Sequence, residues 1–143
     1  ELKNCGLGFR ASSVLETAKI VESGDFDLEA LRKMKYEKAK NELLSLPGVG
    51  NKVADCVLLF SVGKLEAFPV DVWIKRIILE FYSKSFSPEF MEKVSKKKSL
   101  TASEYLKISE FGREYFGPYA GYAQEYLFHW KRSSSISSVR GKL

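Results

Sequence analysis

The chain has 143 residues, 45% of them apolar, enough for one folded domain with a proper core and against disorder except at the ends. Its formal charge of +5 is concentrated late, because Lys131, Arg132, Arg140 and Lys142 follow Trp130 with no acid among them. No apolar run approaches the roughly 20 residues of a membrane-spanning helix, and two cysteines, Cys5 and Cys56, with one histidine, His129, are too few for an iron–sulfur cluster or an all-thiolate zinc site.

The acidic, cysteine-containing start ELKNCGLGF is unlike a signal peptide, so an intracellular protein is expected, with no membrane partner, no cofactor and no metal. The chain has no initiator methionine and opens in mid-pattern, which reads as the C-terminal part of a longer protein.

Apolar residues recur at helical spacing almost everywhere and no convincing period-2 strand is present, so the chain reads as all-α. ASSVLETAKIVES predicts a first helix stopped by Gly24; Asp27 caps a short second one, LEALRK; YEKAKNELLSL is a third. The turn PGVG leads into an apolar fourth helix from about Asn51 to Ser61. A fifth starts near Asp71 and runs through VWIKRIILEFY, and Ser87-Pro88 supplies the cap and first-turn proline of a sixth ending in SKKKS. TASE, Thr101 to Glu104, matches a capping box and opens a seventh, with Tyr105, Ile108, Gly112, Tyr115 and Phe116 along one face. Gly117-Pro118 breaks it before an eighth, in which Tyr119, Tyr122, Tyr126 and Trp130 fall on one stripe. From Ser133 the segment SSSISSVRGKL lacks periodicity and reads as a mobile tail. The expected division is therefore a helical domain over 1–132, with a helix–hairpin–helix near 36–61, and a basic tail over 133–143.

The stretch LPGVGNKVADCVLLF carries the chemistry. Glycines in a tight turn let a backbone approach a phosphate, and the helix that follows points its free N–H groups at it, so Gly48, Val49, Gly50 and Asn51 are candidate DNA-backbone contacts. Read blandly, the turn is only an αα-hairpin loop. Lys52 sharpens the case: at a helix N-terminus, beside Val53, Ala54, Cys56, Val57, Leu58, Leu59 and Phe60, both the dipole and lost hydration favour the neutral amine, a nucleophile suited to a sugar C1′ and to Schiff-base formation. The bland alternative is a lysine that reaches water or contacts phosphate as a cation. Asp71 in FPVDVW is a good N-cap, and one of its carboxylate oxygens can cap while the other serves a developing charge or a proton.

LPGVGNKVADCVLLF followed by FPVDVW resembles the helix–hairpin–helix DNA glycosylase superfamily, and most of all its 8-oxoguanine DNA glycosylases; CGLGFRA and FGPYAGYAQEYLF resemble further segments of those enzymes in the same order. The resemblance implies that Lys52 is the Schiff-base nucleophile and Asp71 the catalytic carboxylate of a bifunctional glycosylase and β-lyase. Trp73 stands where the larger eukaryotic-type enzymes have histidine, and their N-terminal β-rich domain has no counterpart here. These departures, with the basic tail, look more like the second, largely archaeal family, whose C-terminal residues help recognise the base. That bears on Trp130 and Lys142.

An enzyme that works on a stacked base must flip it out and grip its edge and faces. Gln124 and Phe128 are i,i+4 neighbours on the eighth helix, an amide and a ring on one face, and they match pocket positions of the family motif; without the resemblance Phe128 reads as core and Gln124 as solvated. Cys56, one turn beyond Lys52, either faces the same cavity or is a small buried hydrophobe; His129 receives no role. The reading is an intracellular monomer, in the cytoplasm or nucleoid of a prokaryote, that binds duplex DNA containing an oxidised purine, excises 8-oxoguanine through Lys52 and cleaves the strand by β-elimination in base excision repair. The alternatives are a glycosylase for another oxidised base and a non-catalytic helix–hairpin–helix DNA-binding module.

Overall fold

Helix boundaries follow local chemistry closely. In the computed structural model, which describes the backbone of residues 2–140 and the side chains of residues 4–133, eight α-helices form among the described residues and no strand does. The chain divides into two compact units, Glu1–Lys64 and Leu65–Leu143.

In the first unit a 3-10 turn, Leu2–Cys5, precedes α1 (Arg10–Glu22). Gly24, at φ +83°, takes the left-handed conformation that stops α1. Asp27 Oδ1 accepts the N–H groups of Glu29 and Ala30 at 2.9 and 3.1 Å, which folds residues 28 and 29 into a turn and delays α2 to Ala30–Lys33. The hairpin follows: α3 (Tyr36–Leu44), the Leu46–Gly50 turn, and α4 (Asn51–Val57), which widens into a π turn at Leu58–Val62 before Gly63. Leu31, Ala39, Leu43, Leu46, Ala54, Leu58 and Leu59 supply its buried apolar surface.

In the second unit a turn at residues 65–66 and a stretch without regular structure, residues 67–71, lead into α5 (Val72–Phe81), followed by a 3-10 turn at Ser83–Ser85, α6 (Pro88–Ser95), α7 (Ala102–Phe116), a 3-10 turn at Gly117–Tyr119 and α8 (Ala120–Arg140). Ser87 Oγ caps α6 through Phe90 N–H, and Thr101 and Glu104 form the full capping box of α7. The core gathers Phe68, Val70, Ile74, Ile77, Ile78, Val94, Tyr105, Ile108 and Ala120. Each large side chain there contributes about 1.5–3 kcal/mol by leaving water.

Besides the later start of α2, one feature differs from the sequence expectation. The backbone of α8 continues through the serine-rich stretch to Arg140; no Pro or Gly interrupts residues 133–140, and adding residues to an existing helix is far easier than nucleating one. The aromatic stripe of Tyr119, Tyr122, Tyr126 and Trp130 is exposed along its whole length. Among the described residues no helix is long and apolar enough to cross a membrane.

Candidate active site

The hairpin turn is built around Gly48. Its φ of +74° suits glycine, and a Cβ there would lie 2.6 Å from Ser13 Cβ and Oγ, so α1 lies directly behind the turn. Thr17 Oγ1 donates to Pro47 C=O at 3.4 Å from the same side. Gly50 has an ordinary φ of −97°, and nothing stands within 4 Å of a Cβ placed on it. Its lack of a side chain therefore serves openness rather than conformation. As the N-cap of α4 it also offers no acceptor to the first-turn N–H groups, which leaves Asn51 and its successors facing a ligand position.

Lys52 lies in that first turn and is exposed. The apolar run after it buries Ala54, Leu58 and Leu59 on other sides of the helix, so the loss of hydration expected around the lysine is not found. Proximity to the helix N-terminus remains. Cys56, one turn further along α4, is half-buried. Below them lies a network that the sequence reading did not single out. Asp55, wholly buried, accepts the Tyr36 hydroxyl on Oδ1 at 2.5 Å and Lys40 Nζ on Oδ2 at 2.9 Å. Lys40 Nζ also donates to Tyr36 Oη at 3.0 Å, and both α3 residues are 4% exposed. The available signal was the i,i+4 spacing of Tyr36 and Lys40 on the face of α3 that carries Leu43.

Asp71 is the N-cap of α5: its Oδ1 accepts Trp73 N–H at 2.9 Å and Ile74 N–H at 2.8 Å. Among the described residues Oδ2 makes no hydrogen bond, and the side chain is partly exposed. One oxygen holds the helix and the other is open. The segment leading to Asp71 is gripped by α7, where Val70 N–H donates to Tyr105 Oη at 3.2 Å and Ser109 Oγ donates to Phe68 C=O at 3.0 Å. Gly121 N–H, at the start of α8, donates to Leu65 C=O at 2.8 Å. Trp73 carries the Arg76 guanidinium over its ring at 4.8 Å.

On α8, Gln124 is 4% exposed, and its Oε1 has no hydrogen-bond partner among the described residues. A buried amide oxygen without a donor costs on the order of 1–3 kcal/mol, which a bound donor would recover. Phe128, one turn on, packs at the rim of the core with Arg132 over its ring at 5.9 Å. Trp130 is exposed and lies edge-on to Phe81 with ring centroids 5.4 Å apart. Lys142 lies outside the described residues, as does the side chain of Arg140. Among the described residues, no three His, Cys, Asp or Glu side chains gather in a set fit for a metal ion.

No family model matches the chain. It is 38% identical, over 98% of its length, to a probable N-glycosylase/DNA lyase of Methanothermobacter thermautotrophicus, and 31% identical over 90% to an N-glycosylase/DNA lyase of Arabidopsis thaliana. It spans 40% and 34% of those two curated relatives. Its structure resembles that of the Clostridium acetobutylicum 8-oxoguanine glycosylase/lyase in complex with double-stranded DNA containing cytosine opposite 8-oxoguanine, with a TM-score of 0.76 and 34% identity over 93% of this chain and 40% of that one. Over the part it spans, the chain is similar in sequence to N-glycosylase/DNA lyases and in fold to an 8-oxoguanine glycosylase/lyase.

Proposed function

We propose that this chain is the catalytic helical portion of a bifunctional DNA glycosylase and AP lyase that excises 8-oxoguanine from duplex DNA in base excision repair. The observation that carries this reading is the succession of open hairpin, lysine and capping aspartate, Gly48–Asn51, Lys52 and Asp71, in a fold shared with an 8-oxoguanine glycosylase/lyase. The turn Gly48, Val49, Gly50 and Asn51 holds backbone phosphate through its N–H groups other than that of Val49, which donates to Leu46 C=O at 3.2 Å, and the lesion is flipped out of the stack. Lys52 Nζ then bonds to C1′ as the bond from C1′ to the base breaks, and the base departs with that electron pair and the proton shed by the amine, relayed through Asp71. The carboxylate of Asp71 stabilises positive charge on the sugar and takes up the proton the amine sheds. Ring opening gives the Schiff base; loss of a C2′ proton then expels the 3′ phosphate as the C3′–O bond breaks.

Gln124 offers its Oε1 to a donor on the edge of the base and Phe128 its ring to the base face, with Cys56, Trp130 and Lys142 as further recognition residues. The reading includes a helical body over 1–132 with a basic tail over 133–143, a monomer without cofactor, and a place in the cytoplasm or nucleoid of a prokaryote. Borohydride added during incubation with an 8-oxoguanine duplex tests it. A covalent protein–DNA adduct is expected from the wild type and none from Lys52→Gln; trapping by a folded, DNA-binding Lys52→Gln protein would assign the chemistry to another amine.

The exposure of Lys52 favours one second reading, a non-catalytic module in which the lysine is a cationic phosphate contact. Such a module binds damaged and undamaged duplex equally and nicks neither.

A further inference from the structure

The buried Tyr36–Lys40–Asp55 network joins the two helices of the hairpin, and nothing in the proposed chemistry uses it. An ion pair so enclosed is poor evidence of a stabilising device, because taking both charges out of water offsets most of their attraction and well-packed apolar residues do as well or better. Its geometry is more informative. One carboxylate takes donors from two α3 residues a turn apart, and those donors are hydrogen-bonded to each other, so the three side chains close a triangle. Apolar surfaces can slide with little loss. Here a small rotation of α4 would leave a buried carboxylate and a buried ammonium without their partners.

Asp55 stands three residues after Lys52 on the same short helix, so whatever fixes its rotation fixes the direction of the lysine. A side-chain tip about 5–6 Å from a helix axis moves by about 1.5 Å when the helix turns by roughly 15°. A misplacement of about 1 Å at a reacting group can cost on the order of 100-fold in rate.

We infer that Tyr36, Lys40 and Asp55 are positioning residues, which lock α4 in rotation against α3 and so aim Lys52 and the hairpin N–H groups at the DNA. The inference rests on the proposed function only where it speaks of Lys52 chemistry.

The test is the double substitution Lys40→Met with Asp55→Leu, which removes both charges while keeping volume, beside Tyr36→Phe, which removes one hydroxyl. Three quantities are read for each: thermal midpoint, rate of borohydride trapping on an 8-oxoguanine duplex, and the amide NMR shifts of Gly48–Lys52 in the free protein. The double variant is expected to melt at or above the wild-type temperature, to trap on the order of 100-fold more slowly and to shift the hairpin amides. Tyr36→Phe is expected to move the same amides and slow trapping by about tenfold, a smaller effect because the Lys40–Asp55 ion pair remains although the other two bonds of the triangle are lost. Wild-type trapping with unmoved amides in a folded variant would overturn the inference. If the double variant does not fold, Tyr36→Phe decides by the same two readouts. If the wild-type protein itself never traps, the proposed function fails, and the amides alone decide: unmoved, they overturn the positioning role; moved, they support it.

Discussion

Gly112 and Phe68 share a space that only a hydrogen leaves open: a Cβ on residue 112 would lie 2.3 Å from Phe68 Cδ1. The ring has no easy retreat, being wholly buried and stacked on Phe116 with centroids 5.8 Å apart. In an ordinary helix interior Gly→Ala gains about 1 kcal/mol of propensity. Here overpacking should outweigh that gain, and Gly112→Ala should lose about 2 kcal/mol of stability in urea unfolding. An increase in stability would show that α7 and the Phe68 segment are looser than described.

At Asp71 capping and catalysis separate cleanly, since asparagine is as good an N-cap but carries no charge. Asp71→Asn should keep stability within about 0.5 kcal/mol, because an amide oxygen can accept the same N–H groups from Trp73 and Ile74. Single-turnover excision should fall by about 100-fold or more with the loss of a charge that stabilises the transition state. Lower stability with unchanged excision would reduce Asp71 to a cap.

Glu104 makes acid stability testable. Its carboxyl is lowered from 4.5 to about 2, chiefly by the hydrogen bond from Lys97 and next by the Thr101 N–H. Between those values the unfolded chain holds the proton and the folded chain does not, so stability rises with pH across that window. The contribution is fully present above about 4.5 and is lost as pH falls through about 2. Glu104→Gln should flatten the dependence of stability on pH between the two values; an unchanged slope would mean that other carboxylates dominate acid unfolding.

Of the four cations after Trp130, Lys131 is ion-paired with Glu80, against the expectation that none has an acidic neighbour; Arg132, Arg140 and Lys142 can serve as a phosphate arm or as a lid over the base. Removal of an arm weakens damaged and undamaged duplex alike and flattens the dependence of log K on log salt by roughly 0.9 per lost phosphate contact. Truncation after Ser138, which removes Arg140 and Lys142, should instead reduce the preference for 8-oxoguanine over guanine more than it reduces general binding. Equal losses on both duplexes would remove Lys142 from the recognition residues.

Much of the fold was legible in the sequence because its boundaries are set locally: Gly24 stops α1, Ser87-Pro88 starts α6, and Thr101 with Glu104 starts α7. The hairpin and the capping role of Asp71 were visible for the same reason. What stayed hidden depends on distant partners. Lys40 sits in YEKAKNELL, where it reads as one more wet lysine, and it is buried only because Asp55, 15 residues on, arrives beside it. Tyr105 and Ser109 meet Val70 and Phe68 across 35 and 41 residues. The apolar run after Lys52 misled in the opposite sense, since a helix can be apolar on several faces and still leave one side chain outside them.

The segment before Asp71 lies beside α7 much as a strand lies beside a neighbour, except that α7 holds its backbone by two hydroxyls and one missing side chain, with the single Gly121 N–H at its start, instead of a ladder of amides. A ladder moves as a whole, by a full register step, or not at all. Pegs can be reset one at a time: Tyr105→Phe, Ser109→Ala or a change at Gly112 would each alter a single hold, and the carboxylate at the end of the segment would shift by fractions of an ångström. The seat of Asp71 is in this sense adjustable, open to tuning by single substitutions on a helix that need never touch the DNA.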